Sequence, residues 1–360
     1  MDRFFDPIIE IGGFNNNYLI VETNNGRRQK PRLHGNRIIY DDFFVFLSMF
    51  VSLFFYWYYA KIKNRKEFLA LNKAILLMRP QVDSKYLTSL NRIIITGLLR
   101  VSFYKWFLRR KGVKCVVSAS KSSFLPLFCA AKVLNVKVVE LQHGLIYGES
   151  VTYGGCKEPL FTPDKFLTFG DIKPRDVYGV NQDDVITIGW ALRKYLKDRV
   201  VKTSITKDDV LVLSQNLTTD YIIDSTIVLA KENPERKFYY RCHPLEKLTE
   251  DQKNRIANQN NICLQDLTDP FLVALQPFSI VIGDDQTTAV YEASSYGKKV
   301  GILALNNKNV IFLNEEASKS FWLISDTQSF KDFLNAPFDS KPSYSIYSDF
   351  NSELFSEIIE

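Results

Sequence analysis

Short apolar runs alternate with longer amphipathic stretches along the chain after residue 110. Val113 to Ser120 is rich in β-branched residues, Ser122 to Leu134 has a helical pattern with serines at its start, and Val136 to Gln142 is a second apolar run. Two strands with a helix between them are predicted to lie parallel, as in a βαβ unit. Lys165 to Phe169 and Val185 to Ile188 continue the series, which indicates one parallel sheet.

A second series of the same kind follows a charged and polar stretch, Trp190 to Lys207, which is predicted to be a linker. Strands with helices between them are typical of a doubly wound sheet. The predicted strands are Asp209–Ser214, Lys237–Arg241, Asn261–Leu264, Ser279–Ile282 and Lys299–Leu303, and the predicted helices are Thr219–Ala230, Glu246–Ala257, Asp269–Leu275 and Thr287–Tyr296.

The two series together predict an α/β protein with two doubly wound domains that face each other across a cleft. A chain of 360 residues is long for a single core, which agrees with this division. The expected boundaries are 1–195 for the N-terminal domain, 205–336 for the C-terminal domain and 337–360 for a tail. A final helix over Asp349 to Ile359 is expected to pack back onto the first domain.

Two short β-rich segments precede these series, at Asn17 to Glu22 and Arg37 to Tyr40. The polar residues between them include Asn24, Asn25 and Gly26, which form a turn signal of the kind that joins hairpin strands. A local strand pair joined by a turn is therefore predicted.

An aromatic run over Phe43 to Ala60 contains eighteen residues without a charge, and Lys61, Lys63, Arg65 and Lys66 follow it. Its length meets the minimum for a membrane-spanning helix. Its Phe, Tyr and Trp content favours the membrane interface, where a basic flank would contact anionic lipid. A helix buried in the first domain is the third interpretation.

Charge and cysteine content narrow the functional classes. Lys and Arg outnumber Asp and Glu by 46 to 40, and this net charge of +6 suits anionic substrates or an anionic membrane surface. The basic residues follow no nucleic-acid-binding motif, so nucleic acid is not an expected partner. Five separated cysteines without a CxxC pair predict neither a disulfide framework nor structural zinc. Without a signal-peptide pattern, the chain is expected to be cytoplasmic, with the inner face of the plasma membrane as the site of any membrane contact.

Two of the three histidines directly follow predicted strands. His143 precedes Gly144 after the first series' second strand, and His243 precedes Pro244 in the second series. Ligands of open parallel sheets bind beyond the carboxyl ends of the strands, so both histidines are candidate functional residues. The competing interpretation is a histidine that caps a strand-to-helix turn. His34, in a basic stretch, is expected to be merely exposed.

A third candidate site lies between the predicted strand that ends at Ile282 and the helix that follows. Free N–H groups and hydroxyls at a helix N-terminus suit a phosphate or diphosphate. The carboxylates are expected to cap the helix, bind ribose or orient a histidine. The polar residues of this segment are Asp284, Asp285, Gln286, Thr287 and Thr288.

Glu292 lies four residues after Thr288, on the same helical face, where it either reaches a ribose or faces solvent. Adjacent aspartates without a DxD spacing do not predict a metal site, and no cofactor is predicted.

Three motifs carry a resemblance to known families: QHG (Gln142–Gly144), RCHP (Arg241–Pro244) and DDQTTAVYEASSYGK (Asp284–Lys298). In order and spacing they resemble bacterial capsule and O-antigen transferases, and the CDP-glycerol glycerophosphotransferases of teichoic acid synthesis. The similarity runs from about Val113 to Leu303. It implies the GT-B fold, with two Rossmann-like doubly wound domains, the acceptor on the first and the donor nucleotide on the second.

The resemblance also implies roles for single residues. His143 would be the general base that deprotonates the acceptor hydroxyl, in a loop with Gln142 and Gly144. His243 would contact the donor phosphate, and inversion by in-line attack would follow without a metal. The residues implied on the donor side are Arg241, His243, Pro244, Asp284, Asp285, Thr287, Thr288 and Glu292.

An HP motif also occurs in bacterial sialyltransferases and other transferases of CMP-activated acidic sugars, and this resemblance implies a CMP- or CDP-linked donor. Those sialyltransferases carry two acidic residues followed by Gly in the first domain, and this sequence lacks that tripeptide. Transfer of sialic acid is therefore not the expected reaction.

The leading hypothesis is a glycosyltransferase that moves a sugar from a nucleotide donor to a glycan or lipid-linked acceptor of a surface polysaccharide. The alternatives are a CDP-alditol phosphotransferase, a non-catalytic GT-B-like scaffold at the membrane, and a sugar epimerase of similar architecture.

Overall fold

The computed structural model describes residues 5–12, 18–22, 38–119, 121, 123–144, 156–170, 179–197, 206–312, 315–338, 340–341 and 345–360. Three features of the sequence lie outside these residues: His34, the turn signal at Asn24–Gly26 and residues 198–205 of the expected linker.

The N-terminal elements are α1 (Phe5–Gly12), β1 (Ile20–Glu22) and β2 (Ile38–Tyr40). β1 and β2 pair in parallel, with Ile20 opposite Ile38. The hairpin interpretation of this pair was wrong, because a tight turn joins only antiparallel strands.

Three helices follow, and only the first was predicted. α2 (Asp42–Trp57) continues into a π-helical turn (Tyr58–Lys63), and α3 (Arg65–Met78) and α4 (Ser84–Lys111) come next. α4 begins at Asp83, whose side chain accepts a hydrogen bond from the Tyr86 N–H, and ends at Gly112 in a left-handed conformation. α2 packs against α4, and Asp41 joins them because its carboxylate accepts hydrogen bonds from Arg100 and Tyr104.

The first parallel sheet has four strands in the order β3-β4-β5-β6. α4 and α5 cover one face through a core that contains Phe107, Phe128 and Val138. The other face packs against α1 and the C-terminal helix, with Val139 and Leu141 at its centre. The elements are β3 (Cys115–Ser118), α5 (Leu125–Val133), β4 (Lys137–Leu141), β5 (Lys165–Thr168) and β6 (Val185–Thr187), and α6 (Ala191–Lys197) follows them.

The second parallel sheet has six strands in the order β12-β11-β10-β7-β8-β9. Strand order therefore reverses between β7 and β10, the position where doubly wound sheets bind ligands. Its strands are β7 (Thr206–Leu213), β8 (Phe238–Arg241), β9 (Ile262–Leu264), β10 (Phe278–Gly283), β11 (Lys299–Leu303) and β12 (Trp322–Ile324). Its helices are α7 (Thr219–Lys231), α8 (Glu250–Ala257), α9 (Phe271–Leu275), α10 (Thr288–Ser295), α11 (Glu315–Ser320) and α12 (Thr327–Asn335).

Helices cover both faces of this sheet, as alternating residues of β7 show. Val210 and Val212 belong to the core beneath α7, α8 and α12, whereas Leu211 and Leu213 belong to the core beneath α9 and α10. Successive side chains of a strand point to opposite faces, so a strand buried on both sides is apolar at every position.

The C-terminal segment returns to the first sheet and ends in α13 (Ser352–Ile359). Ser348 donates its N–H to the carbonyl of Phe169 and accepts from the N–H of Trp190, and the Asn351 N–H donates to Ile188. The rings of Trp190 and Tyr347 stack, with centroids 4.0 Å apart. α13 then packs beside α1 on the first sheet.

Candidate functional site

Loops that follow β7, β8, β10 and β11 meet at the carboxyl edge of the second sheet. Parallel strands place these loops on one edge, and the reversal between β7 and β10 opens a space between two of them. Side-chain hydrogen bonds join the loops: Thr218, after β7, donates to Asp284, after β10, at 2.8 Å. Ser214, after β7, donates to Glu246, after β8, at 2.7 Å.

The acidic pair after β10 is buried and shares one cation. Asp284 and Asp285 are both fully buried, and the Nζ of Lys308 lies 2.8 Å from one carboxylate and 2.7 Å from the other. Backbone N–H groups of Gln286 and Ile311 donate to the same two side chains. Lys308 thus supplies the counter-charge that a buried carboxylate pair requires.

Ionisation of this cluster follows from its contacts. Burial acts to raise the pKa of Asp284, but hydrogen bonds from Lys308, Gln286 and Thr218 outweigh it and hold this pKa below its usual value. Burial acts to lower the pKa of Lys308, but its hydrogen bonds with both aspartates raise this pKa above the usual value. Asp284 and Lys308 therefore hold their charges at neutral pH.

His243 begins a tight turn that Glu246 closes. Glu246 accepts the His243 N–H at 2.7 Å through one carboxylate oxygen, and its own N–H donates to the His243 carbonyl at 2.8 Å. The other oxygen accepts from Ser214 and Thr219, each at 2.7 Å. Glu246 therefore fixes the backbone of His243 relative to the loop after β7.

The imidazole of His243 is half-buried and neutral at pH 7. Burial lowers its pKa below the usual value, and Glu246 only partly opposes this. The Leu245 N–H donates to Nδ1 at 3.2 Å, so the neutral ring carries its proton on Nε2. A neutral Nε2–H is a hydrogen-bond donor that suits a phosphate oxygen.

The other residues of the RCHP motif are placed differently. The guanidinium of Arg241 donates to Gln265 and to the carbonyls of Asp266 and Asp269, so it supports the loop after β9. Burial lowers the pKa of Arg241. Pro244 is exposed beside His243.

α10 begins directly after the acidic pair. Thr287 is its N-cap, with the Ala289 N–H donating to the Thr287 hydroxyl, and Thr288 is half-buried. Glu292 is only 3% exposed, which excludes the interpretation as a solvent-facing glutamate.

An open depression of roughly 500 Å³ lies beside this cluster. The start of α7, residues 216–221, lines one side, and Leu245, Glu246, Lys247 and Thr249 line the other. Hydroxyl and amide groups at a helix N-terminus give it the polar character of an anion-binding surface.

The first sheet places the QHG motif at its own carboxyl edge. Gln142 is buried, accepts the Phe169 N–H at 2.9 Å through its side-chain oxygen, and donates to the Gly144 carbonyl at 2.9 Å. It therefore ties the end of β4 to the end of β5 and shapes the turn. His143, between these anchored residues, is half-buried.

This edge of the first sheet lies against α10 of the second. Phe169, which Gln142 holds, belongs to the same hydrophobic cluster as Val290 and Tyr291 of α10. The Ile346 N–H donates to Ser295 at the end of α10. The sequence predicted neither contact, because both depend on the returning C-terminal segment.

Several residues of this site were missed by the sequence analysis: Ser214, Thr218, Glu246 and Lys308. Ser214 is the last residue of a predicted strand and Thr218 lies four residues later, so a search of the strand ends could have found them. Lys308 lies 24 residues after Asp284, beyond another strand, and no local signal marks it. Within the described ranges, no group of three or more His, Cys, Asp or Glu residues could hold a metal ion.

Comparisons with known proteins rest on structure alone: no protein-family model matches the chain, and no curated protein matches it significantly. Among solved structures, the UDP-GlcNAc 2-epimerase from Neisseria meningitidis bound to UDP-GlcNAc has 16% identity and a TM-score of 0.51 over 73% of this chain and 80% of that one. The Methanocaldococcus jannaschii UDP-GlcNAc 2-epimerase in complex with UDP-GlcNAc and UDP has 13% identity, a TM-score of 0.51, and coverage of 74% and 80%. A putative UDP-N-acetylglucosamine 2-epimerase from Listeria monocytogenes has 12% identity, a TM-score of 0.52, and coverage of 70% and 76%. These likenesses confirm the predicted fold, two Rossmann-like α/β domains of the GT-B type.

Proposed function

We propose that this protein is a glycosyltransferase that moves a sugar from a nucleotide-activated donor to a surface-polysaccharide acceptor. The main support is the cluster where the strand order of the second sheet reverses, in which a neutral histidine lies beside a fixed network of hydroxyls and carboxylates. Doubly wound sheets bind nucleotides at this position. Solved structures of the same fold that are bound to UDP-GlcNAc, or to UDP-GlcNAc and UDP, support a nucleotide-linked substrate.

On the donor side, His243 donates through Nε2 to the departing phosphate. Thr287 and Thr288, at the N-terminus of α10, bind phosphate oxygens. The buried Glu292 contributes to the part of the nucleotide-binding site that contacts the ribose. Asp284 and Asp285 hold the loop after β10 through Lys308. Arg241 supports the loop after β9, and Pro244 is part of the turn that begins at His243.

On the acceptor side, His143 is the general base. It removes the proton from an acceptor hydroxyl, and that oxygen forms a bond to the anomeric carbon as the bond from this carbon to the phosphate oxygen breaks. Attack from the opposite side inverts the configuration, and the nucleotide leaves with the bonding electrons. Gln142 and Gly144 set the position of His143.

The finer features of the proposal rest on the motif resemblance. The HP motif supports a CMP- or CDP-linked donor, and the resemblance of the three motifs to capsule and O-antigen transferases supports a glycan or lipid-linked acceptor. A CDP-alditol phosphotransferase would use the same residues but attack at phosphorus. The expected division into 1–195, 205–336 and 337–360 belongs to the proposal, with acceptor and donor on separate domains.

An epimerase is the second candidate, because the comparison structures with TM-scores above 0.5 carry that name. The two activities differ in their need for an acceptor. An epimerase acts on the nucleotide sugar alone, whereas a transferase releases nucleotide in proportion to acceptor.

To test this, the purified protein is incubated with UDP-, GDP- and CMP-sugars and with CDP-glycerol. Each donor is tried with and without a bacterial lipid-linked glycan extract as acceptor. Released nucleotide and epimerised sugar are measured. Acceptor-dependent release from a nucleotide sugar is expected. Release from CDP-glycerol alone would favour the phosphotransferase, epimers without acceptor would favour the epimerase, and inertness towards every donor would favour a scaffold.

His143→Ala provides the residue-level test of this proposal. It is expected to lower turnover at least a hundredfold, the usual loss when a general base is removed. His34→Ala is the matched control, since it removes a histidine that does not follow a predicted strand. Full turnover by His143→Ala would remove His143 from the proposed mechanism.

A further inference from the structure

The aromatic run of the sequence forms an exposed apolar face on α2. Its side chains are spaced by three or four residues, so they share one side of the helix. They are between 52% and 72% exposed: Phe43, Phe46, Phe50, Leu53, Phe54 and Trp57. The structure therefore excludes the interpretation of this run as a buried helix.

The opposite side of α2 is occupied by α4. Phe44 packs against Tyr104 and Phe107, with ring centroids 5.5 and 5.9 Å apart, and the guanidinium of Arg92 lies over the ring of Tyr56 at 5.6 Å. Ser48 and Ser52 are buried on this side. α2 and α4 therefore run antiparallel and in contact over several turns.

Within the described residues, one helix is long and apolar enough to cross a membrane by length and composition, Asp42–Lys63. Spanning would carry α4 with it, and α4 has Arg92 and Arg100 along the contact. Charged side chains in the bilayer centre are strongly unfavourable. A helix with one packed side and one exposed apolar side instead fits the membrane interface.

Charge is concentrated in the same part of the chain. Residues 42–111 contain thirteen basic and three acidic residues, a net charge of +10, whereas the whole chain carries +6. The remaining residues therefore carry a net charge of −4. Exposed basic side chains lie next to the apolar face, as at Lys61, Lys63, Arg65 and Lys66.

The positive charge of residues 42–111 indicates what covers the apolar face of α2. A second copy of the chain would bring two strongly positive regions together, which like-charge repulsion opposes. An anionic bilayer offers both an apolar layer for the phenylalanines and negative headgroups for the lysines. Aromatic rings with cations above them, such as Tyr59 with Lys63 and Trp106 with Arg110, have the composition of a membrane interface.

We propose that α2 lies in the plane of an anionic membrane, with Phe46, Phe50 and Phe54 in the outer acyl region and the basic residues of 61–66 on the headgroups. This inference does not depend on the proposed reaction. It makes the first sheet the membrane-proximal part of the molecule, since α2 packs onto that sheet through α4.

Flotation of the purified full-length protein with phosphatidylcholine vesicles, with and without phosphatidylglycerol, tests this placement. Binding is expected only to the anionic vesicles and is expected to fall in about 0.5 M salt, where charges are screened. Phe46→Ser/Phe50→Ser/Phe54→Ser is expected to bind at least tenfold more weakly. Val228→Ser/Val273→Ser/Phe338→Ser, which removes three exposed apolar side chains elsewhere, is expected to bind like the wild type.

The charge contribution has its own matched pair. Lys61→Gln/Lys63→Gln/Arg65→Gln/Lys66→Gln is expected to lose preference for anionic vesicles, and Lys231→Gln/Lys237→Gln/Lys253→Gln/Lys331→Gln is expected to retain it. All eight residues are exposed, so circular dichroism and thermal unfolding should match the wild type. Absence of wild-type binding, or equal binding by the phenylalanine variant, would overturn the proposal. Retention in cell membranes after carbonate extraction would overturn the in-plane orientation in favour of a spanning helix.

Discussion

Among single residues, Lys308 is expected to affect the free energy of unfolding most strongly through the acidic pair after β10. Its Nζ contacts two fully buried carboxylates, and both would lose this counter-charge without it. Removal of one partner from a buried ion pair costs far more than the pair contributes, because the remaining charge has lost its solvent.

Lys308→Met is therefore expected to lower the free energy of unfolding by about 3–5 kcal/mol. Adding Asp284→Asn should recover part of this loss, since one buried charge is then removed. Urea unfolding measures both effects, with the exposed Lys331→Met as control, expected within about 0.5 kcal/mol of the wild type. A Lys308→Met variant as stable as that control would contradict the role of Lys308.

His243 predicts a pH dependence of stability. Its pKa is lowered in the folded state from an ordinary value near 6.5, so the unfolded chain takes up a proton first as pH falls. Its contribution is fully present above about 6.5 and is lost as pH falls from there through the folded-state pKa. His243→Gln should flatten this part of the stability curve, measured by urea unfolding between about pH 5 and 7.5. His34→Gln should leave it unchanged, and a His243→Gln curve parallel to the wild type would contradict the shift.

At the scale of elements, the returning C-terminal segment depends on two glycines without room for a side chain. A Cβ at Gly170 would lie 2.3 Å from the Ile346 carbonyl oxygen, and one at Gly189 would lie 2.2 Å from that of Asp349. Gly189 also has a φ of +78°. These close approaches let residues 346–351 lie across the ends of β5 and β6.

Gly189→Ala is expected to cost about 3 kcal/mol or more, from left-handed backbone strain together with displacement of the segment. Gly297→Ala is a matched control, because Gly297 has a φ of +70° but open space where the alanine methyl group would lie. It should cost only the backbone strain, about 1–2 kcal/mol. Chemical denaturation compares the two, and equal losses would show that the contact with Asp349 contributes nothing.

The sequence predicted elements where a signal is local and failed where it is not. Apart from β12, which was missed, the strands of both large sheets followed from continuous apolar runs, because strands buried on both faces are apolar throughout. The parallel pairing of β1 with β2 could not be predicted, since the intervening turn signal describes only its own backbone. α4 was missed, although Asp83 and Gly112 are ordinary helix-capping residues.

The residues of the candidate site also include some that the sequence could predict and others that it could not. His143 and His243 were found because strand ends are readable from the sequence, whereas Lys308 reaches the acidic pair only through the sheet's crossover connection. The neutral state of His243 depends on burial and on the Leu245 N–H, and both arise only in the folded chain.

At the scale of the whole molecule, chemistry and charge are separated. Residues 42–111 carry a net charge of +10, and the nucleotide-binding cluster that we propose lies on the second sheet, in the part of the chain with an overall negative charge. This separation suits an enzyme with a lipid-linked acceptor, because our two proposals place the first domain at the membrane and the nucleotide-binding cluster away from it.

Calorimetric titration of CMP, CDP, UDP and GDP into the full-length protein tests whether the carboxyl edge of the second sheet binds a nucleotide. The wild type and His34→Ala are expected to bind at least one nucleotide equally well, with a cytidine nucleotide the tightest. His243→Ala is expected to bind it at least tenfold more weakly, a loss of about 1.4 kcal/mol. Absence of binding to the wild type would contradict the proposed nucleotide site, and equal affinity in His243→Ala would contradict the proposed contact between His243 and the nucleotide.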